Sequence, residues 1–130
     1  MSKENYRGFR DLFVYQKSYK AALEIFELTK TFPNEEQYSL TDQIRRSSRS
    51  VCANIAEAFR RRRYPKSFVS KLNEAEAESA ETQTWIEFSA KCFYVSSDIA
   101  IRIITTYDKI IGRLVVMSNQ PESWSLLIFP

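Results

Sequence analysis

Apolar side chains recur at intervals of three and four residues through four segments of the chain, the spacing of one face of an α-helix. The first segment runs from residue 11 to residue 32 and is ended by Pro33 and Asn34. Its predicted core face consists of Leu12, Tyr15, Tyr19, Ala22, Phe26 and Thr29. The pattern therefore predicts a first helix that buries its Tyr19 face.

A second helix is predicted to begin after Ser39, a good N-cap residue, with Asp42 three positions later in an approximate capping box. Its predicted core face consists of Leu40, Ile44, Ser48, Val51, Ile55 and Phe59. We expect this helix to end near Arg62, because Tyr64 precedes a proline and is biased away from helical angles.

Pro65 suits the first turn of a third helix, which is predicted to reach about Phe93 and to be the longest. Its predicted core face consists of Phe68, Leu72, Ala75, Ser79, Ile86 and Ala90. After a polar break at Ser96 and Ser97, a fourth helix is predicted to end near Ser118. Its predicted core face consists of Ile99, Ile103, Tyr107, Ile110, Leu114 and Met117.

Four helices joined by short connections predict an all-α protein, an antiparallel up-down-up-down four-helix bundle over residues 1–118. Residues 119–130 are expected to form a C-terminal tail that is not helical. The composition agrees with one helical domain, because two glycines and four prolines are too few for the tight turns of an all-β sandwich.

The first and third helices each carry a second apolar face opposite the predicted core, which a monomer would leave exposed. Self-association is therefore predicted, through an interface of Ile25, Phe32, Ala77, Trp85, Phe88 and Cys92. The alternative is that these residues broaden the core of a single chain. For the apolar tail we expect either docking on a neighbouring subunit or a frayed terminus. The tail residues concerned are Trp124, Leu126, Leu127, Ile128 and Phe129.

Positive charge is concentrated in the second helix and the turn after it, although the formal net charge is only +3. Seven arginines lie there against two acids: Arg45, Arg46, Arg49, Arg60, Arg61, Arg62 and Arg63. Guanidinium groups bind phosphates bidentately, so the set predicts a surface for RNA or DNA backbone. The alternative is that some pair with glutamates of the third helix and the others are solvated. No motif for base-specific readout is present.

Other chemistry is weakly supported by the residues. The chain contains no histidine, which disfavours catalytic triads and most zinc sites, so we expect no enzyme activity, cofactor or metal. Glutamates such as Glu74, Glu78 and Glu81 are expected to be exposed helical charge. Asn54 and Glu57 are predicted to be structural, in a buried hydrogen-bond network or paired with an arginine.

Location follows from what the sequence lacks. Cys52 and Cys92 have no metal-binding spacing and are expected to be reduced. The N-terminal stretch has no apolar run typical of a signal peptide, and no segment is apolar enough to span a membrane. These features predict a cytoplasmic protein without a membrane partner.

The stretch SLTDQIRRSSRSVCANIAEAFRRR, residues 39–62, resembles the hallmark L-T-x-Q-I-R-R-A, then S-x-x-x-N-I-A-E-G, of a known family. This is the four-helix bundle family encoded in the intervening sequences of bacterial 23S ribosomal RNA genes. The resemblance spans about residues 9–117. Cys52 and Ala58 depart from it, since the family often has proline and glycine there.

Members of that family are similar to the accessory protein of diversity-generating retroelements, a pentameric barrel that works with a reverse transcriptase and RNA. The resemblance thus implies a homo-oligomer, most simply a pentamer, with RNA, DNA, a reverse transcriptase or another protein as partner. The combined expectation is a non-enzymatic oligomeric scaffold that binds nucleic-acid backbone, or one that binds only protein.

Overall fold

A computed structural model describes residues 7–125, and in that range the chain forms helices and turns without any strand. The long helices are α1 (Phe13–Thr29), α2 (Leu40–Arg60), α3 (Pro65–Lys91) and α4 (Ser97–Ser118). A short helix, α5 (Pro121–Ser125), follows, and single 3-10 turns lie at Phe9–Asp11 and Asn34–Glu36. The prediction of an all-α chain with four main helices is confirmed.

Each long helix packs chiefly on two of the others: α2 lies against α1 and α3, while α4 lies against α3 and α1. A single apolar cluster draws side chains from all four. Its largest fully buried members include Tyr107, Phe68, Ile25, Ile44 and Leu72. The predicted core faces of α2, α3 and α4 are therefore confirmed in most positions.

The contact between α2 and α3 contains small hydroxyl side chains. Ser47 Oγ lies 2.8 Å from Thr82 Oγ1, and both residues are fully buried. Thr82 also donates to the carbonyl of Glu78, and Ser79 donates to the carbonyl of Ala75. Because these hydroxyls are satisfied within their own helices, none of them is left unpaired where the two helices meet.

The predicted core face of the first helix is buried at Leu12 and Thr29, but it was wrong at the four positions between them. The buried residues of α1 are Val14, Ser18, Ala21, Ile25 and Thr29. Tyr19 is 51% exposed, and Tyr15, Ala22 and Phe26 are only partly buried. Both faces of α1 are apolar, so the pattern alone does not choose between them; in the structure the face with Ser18 packs against α2, where Cys52 Sγ donates to Ser18 Oγ at 3.3 Å.

The prediction that the Ser39 side chain caps helix α2 was wrong. The Ser39 side chain makes no cap bond and donates instead to Glu36 Oε1 at 2.6 Å. The same Glu36 oxygen accepts a long bond, 3.4 Å, from the backbone N–H of Leu40. Glu36 also accepts from the Tyr94 hydroxyl at 3.0 Å, which joins the α1–α2 connection to the α3–α4 connection.

The tail departs from its prediction as well. Residues 121–125 form α5, which packs on α3 and α4. Trp124 is 4% exposed, and its ring lies 6.4 Å from that of Phe68 between centroids. Trp124 therefore belongs to the core of its own chain and is not available to a neighbour. Leu126, Leu127, Ile128 and Phe129 lie outside the described residues.

The C-terminus of α3 is closed by Phe93 in a left-handed conformation, with φ at 65°. The N–H of Tyr94 donates to the carbonyl of Ser89, and that of Phe93 donates to the carbonyl of Ala90. This is a Schellman motif, in which glycine usually holds the left-handed position. Phe93 occupies it with its side chain 93% exposed, so backbone strain is not offset by packing.

We predict that Phe93→Gly stabilises the protein by about 1 kcal/mol, because glycine removes the clash of Cβ with the left-handed backbone and the exposed ring packs against nothing in the core. Chemical denaturation should show the gain. Phe93→Ala is the matched control, since it removes the ring and keeps Cβ. Equal stabilisation by both variants would mean that the exposed ring, and not the backbone, is responsible.

Acid should weaken the hydrogen bonds of Glu36. The bonds from Ser39 and then Tyr94 lower the pKa of Glu36 from its ordinary value of 4.5. A carboxyl with a lowered folded pKa adds stability above its unfolded pKa and loses it as the pH falls through the folded pKa.

We therefore predict that Glu36→Gln, which cannot ionise, loses less unfolding free energy than the unsubstituted protein between about pH 6 and about pH 3. Urea denaturation at both pH values measures this. The control is Glu87→Gln, which changes an exposed carboxylate on α3. If Glu36→Gln keeps the full acid sensitivity, the assigned hydrogen bonds do not stabilise the folded state.

Candidate nucleic-acid interface

The predicted arginine set divides into members that are held in the fold and members that remain exposed. Arg45 is half-buried against α1: its Nε donates to Thr29 Oγ1 at 2.7 Å, and its guanidinium carbon lies 4.7 Å from the centre of the Phe26 ring. A cation over an aromatic face is attracted to it, more strongly where water is excluded. Arg45 therefore fastens α2 to α1.

Arg46 faces α3 and forms ion pairs there. Its Nη1 lies 3.5 Å from Glu78 Oε2, and its Nη2 bonds to Glu81 Oε2. The indole Nε1 of Trp85 donates to the same Glu81 oxygen at 3.1 Å. Arg46 thus follows the alternative in which an arginine of the second helix pairs with glutamates of the third.

Arg62 folds back on the end of α2. Its Nη1 donates to the carbonyl of Phe59 at 2.7 Å, and its guanidinium carbon lies 3.9 Å from the centre of the Phe59 ring. Its Nε is buried without a hydrogen-bond partner among residues 7–125. Burial, and after it the charges of Arg60 and Arg63, lower the pKa of Arg62. Like charges are therefore crowded at this end of α2.

The remaining arginines are Arg49, Arg60, Arg61 and Arg63, and all four are exposed. None forms an ion pair with a carboxylate in the part of the chain that the structure describes. Arg61 has a long bond, 3.4 Å, to Ser67 Oγ, and Arg63 lies over the Tyr64 ring at 6.0 Å. We call these four residues the arginine strip. At a rise of 1.5 Å per residue, its part from Arg49 to Arg60 is about 16 Å long.

A groove of about 490 Å³ lies beside this strip, between α1 and α2. Its α1 wall carries the aromatic side chains that were predicted to be in the core, and its α2 wall carries Arg49 above small residues. The lining residues are Phe9, Tyr15, Tyr19, Ala22, Leu23, Phe26, Arg49, Cys52, Ala53 and Ala56. The exposed aromatic wall follows from the reversed orientation of α1.

The predicted interface residues are separated by the fold. Ile25 is fully buried and Phe32 is 8% exposed, so both belong to the core of the single chain and their assignment to an interface is wrong. Ala77 and Cys92 are exposed, Phe88 is 54% exposed and Trp85 is partly buried. A first helix that buried its Tyr19 side would place both residues on the outer face, but the structure buries the opposite side.

An apolar depression of about 490 Å³ lies at the α3–α4 end of the molecule. Phe88 and Ala90 of α3 line it together with Ala100, Ile101 and Ile104 of α4. Ile101 is 63% exposed, and the ring of Trp85 lies 5.9 Å from that of Phe88 between centroids. The sequence indicated the α3 side of this patch but not Ile101, because α4 was assigned a single apolar face.

Asn54 and Glu57 have separate surroundings. Asn54 is buried, and its Nδ2 donates to the carbonyl and the hydroxyl of Ser50 at 2.9 and 3.1 Å. Glu57 is exposed and pairs with Lys71 at 3.2 Å, not with an arginine. The prediction of one buried network containing both residues was therefore wrong, since Glu57 points to the surface of α2.

Potential ligands for a metal are dispersed. Among residues 7–125, no group of three histidine, cysteine, aspartate or glutamate side chains is close enough to hold an ion. Cys52 and Cys92 are both free, and burial raises the pKa of the Cys52 thiol. Cys52 is accordingly a protonated packing residue at neutral pH.

No helix within residues 7–125 is both long and apolar enough to cross a bilayer.

The structure thus describes a small, all-helical protein with a strip of exposed arginines along α2 and the turn after it, and with an aromatic groove beside α2. Residues 10–115 match the family model described as the 23S rRNA-intervening sequence protein. The chain belongs to that family, as the motif in α2 indicated.

A solved structure supports the same assignment. It is a crystal structure of a protein with unknown function from the S23 ribosomal protein family, from Bacteroides thetaiotaomicron. The two chains are 29% identical and align with a TM-score of 0.75, over 92% of this chain and 100% of that one. No curated protein sequence matches this chain.

Proposed function

We propose that this protein is a non-enzymatic, homo-oligomeric helical scaffold that binds structured RNA or DNA through backbone phosphates. The observation that carries the proposal is the exposed strip of Arg49, Arg60, Arg61 and Arg63, which lacks carboxylate partners among residues 7–125. Surface arginines are commonly balanced by nearby acids, as Arg46 and Arg102 are here. A polyanion would supply the missing counter-charge.

Phosphate binding suits the local electrostatics. Burial lowers the pKa of Arg62, and repulsion from Arg60 and Arg63 lowers it further, so an anion placed among these side chains would relieve that repulsion. Each guanidinium can donate two parallel hydrogen bonds to a phosphate and remains charged throughout the physiological range. Such bonds read no sequence, which agrees with the absence of a base-reading motif.

The assembly is the second part of the proposal. We infer that the four long helices run antiparallel as an up-down-up-down bundle and that several copies associate, five being the number that the family resemblance implies. Support comes from exposed apolar side chains grouped at one end of α3 and α4, among them Phe88, Phe93 and Ile101. Association would repeat the arginine strip around the assembly and strengthen phosphate binding by multivalency.

We also propose that the protein has no enzyme activity. A chain without histidine lacks the commonest acid–base group, and Glu74, Glu78 and Glu81 lie on α3 as surface charges paired with Lys71 or Arg46. We expect the protein to reside in the cytoplasm, where nucleic acid is accessible to it.

We predict that replacing Arg49, Arg60, Arg61 and Arg63 by Gln weakens binding of a labelled RNA hairpin or DNA duplex by more than tenfold at about 100 mM salt. Counterion release also predicts that the slope of log affinity against log salt becomes shallower by about 0.9 for each phosphate that the variant no longer neutralises, or about 3.6 in all. Fluorescence anisotropy over a salt series measures both quantities.

The matched control replaces Lys17, Lys20, Lys91 and Lys109 by Gln, which removes the same charge from other exposed positions. It should leave most of the affinity and the slope intact. Equal losses in the two variants would mean that net charge, and not the strip, attracts nucleic acid. If neither duplex nor hairpin binds the unsubstituted protein, phosphate binding is excluded.

We predict that Phe88→Glu reduces the solution mass without loss of helicity, because a carboxylate cannot be buried in an apolar contact between copies. Light scattering coupled to gel filtration gives the mass, and circular dichroism gives the helix content. Tyr38→Glu is the control, since Tyr38 is 87% exposed in the α1–α2 connection. An unchanged mass for Phe88→Glu would remove Phe88 from the interface.

A second candidate function is favoured by the apolar depression beside Phe88. This depression, lined by Phe88, Ile101 and Ile104, can also hold an apolar segment of a different protein. One such partner is a reverse transcriptase that this chain would serve as an accessory subunit. A scaffold of that kind would bind its partner with little dependence on salt and would be indifferent to the arginine substitutions.

A further inference from the structure

The aromatic wall of the α1–α2 groove has a geometry suited to stacking. The rings of Tyr15 and Tyr19 lie 5.8 Å apart between centroids and are parallel to within 19°, and Phe9 meets Tyr15 edge-on at 5.0 Å. Tyr19 is 51% exposed. The stack therefore leaves aromatic surface open at the groove, where a planar ring can extend it.

Cations gather at one end of the same groove around Phe26. The charged groups of Arg45, Lys30 and Arg49 lie 4.7, 4.9 and 5.6 Å from the centre of the Phe26 ring. Arg45 is held by Thr29 and Lys30 is paired with Glu27, whereas Arg49 is exposed without such a partner among residues 7–125. Arg49 is the cation best able to reach a ligand in the groove.

Small side chains line most of the α2 side of the groove. Ala53 and Ala56 are small, so a flat ring can approach the helix between Tyr19 and α2. Arg49, Ala53, Ala56 and Arg60 follow one another at spacings of four, three and four residues and therefore share one face of α2. The small surface consequently lies between two arginines of the strip.

We propose that this groove binds unpaired nucleotides of single-stranded nucleic acid, with a base stacked on Tyr19 and an adjacent phosphate contacted by Arg49. The inference rests on the proposed function and narrows its ligand to RNA or DNA that offers unpaired bases. Proteins that hold single strands without sequence preference combine a basic track for the backbone with aromatic side chains for the bases. Both elements occur here within one groove.

Charge favours this occupant over a second copy of the chain. A contact between copies would bury Arg49 against an apolar wall and would need a carboxylate to compensate its charge, whereas a strand brings one phosphate with every base. From Arg49 to Arg60 the strip is about 16 Å long, which corresponds to about five nucleotides at the 3.4 Å spacing of a stacked strand.

The test uses labelled oligonucleotides of one length and sequence: a DNA single strand, the matching RNA strand, the DNA duplex, and a DNA strand whose central nucleotides are abasic. We expect both single strands to bind more tightly than the abasic strand. Tyr19→Leu, which keeps apolar bulk and removes the aromatic face, should weaken single-strand binding by about fivefold to a hundredfold for one stacked base. Duplex binding should not change.

Tyr38→Leu is the matched control, since Tyr38 is 87% exposed in the α1–α2 connection and does not line the groove, so that every affinity should stay unchanged. Independently of any variant, 2-aminopurine in the strand should be quenched when the unsubstituted protein binds. If circular dichroism shows that Tyr19→Leu is misfolded, the quenching of 2-aminopurine and the affinity of the abasic strand still test whether a base stacks in the groove.

The inference is overturned if the abasic strand binds as tightly as the intact strand, or if Tyr19→Leu lowers duplex and single-strand affinity equally. It is also overturned if Tyr19→Leu alters only the solution mass, which would make the groove a contact between copies. Equal affinity for all four oligonucleotides would still support binding of backbone phosphates but would exclude stacking of a base on Tyr19. Binding of none excludes the phosphate function itself.

Discussion

The fold depends on the burial of α2 between two neighbouring helices. Its small side chains face both of them: Ser47 meets Thr82 of α3 at 2.8 Å, and Cys52 meets Ser18 of α1 at 3.3 Å. Large side chains at these positions would hold the helices apart, while hydroxyls bonded to their own helices add no unpaired polar group. With both sides occupied, α2 keeps one outward strip, and its exposed arginines lie along it.

The same constraint sets the orientation of α1. The face of α1 with Ser18 and Ala21 lies inward, where Ser18 contacts Cys52 of α2, and Arg45 reinforces the packing through Thr29 and Phe26. The aromatic face is then displaced to the edge, where Tyr15 and Tyr19 stack on one another. This packing thus places an aromatic wall next to a line of cations; the phosphate proposal rests on the cations alone, and the stacking proposal rests on both.

The connections at the α3–α4 end are joined to each other. Glu36 accepts from Ser39 and from Tyr94, and the ring of Tyr94 lies 5.2 Å from that of Phe32 between centroids. The hydrogen bond to the Glu36 carboxylate raises the pKa of Tyr94 to about 12, so this hydroxyl remains a donor over the physiological range. Beside these anchored connections, Phe93 lies exposed in the left-handed region, with φ at 65°.

The helical class, the four main helices to within a few residues, and the family could be predicted from the sequence, because apolar periodicity, proline positions and the α2 motif are local signals. The sequence also located the arginines. It did not determine that Glu36 replaces Ser39 at the start of α2, because a short bond between the two side chains competes with the cap.

Packing between the helices fixes which face of α1 is buried, which arginines stay exposed, and that Ile25, Phe32 and Trp124 belong to the core. A helical wheel shows two apolar faces on α1 and cannot choose between them, whereas burial depends on how the opposing helix surfaces pack. For α1 the face with Ser18 and Ala21 packs against α2, and that choice depends on the pair of helices and on neither one alone.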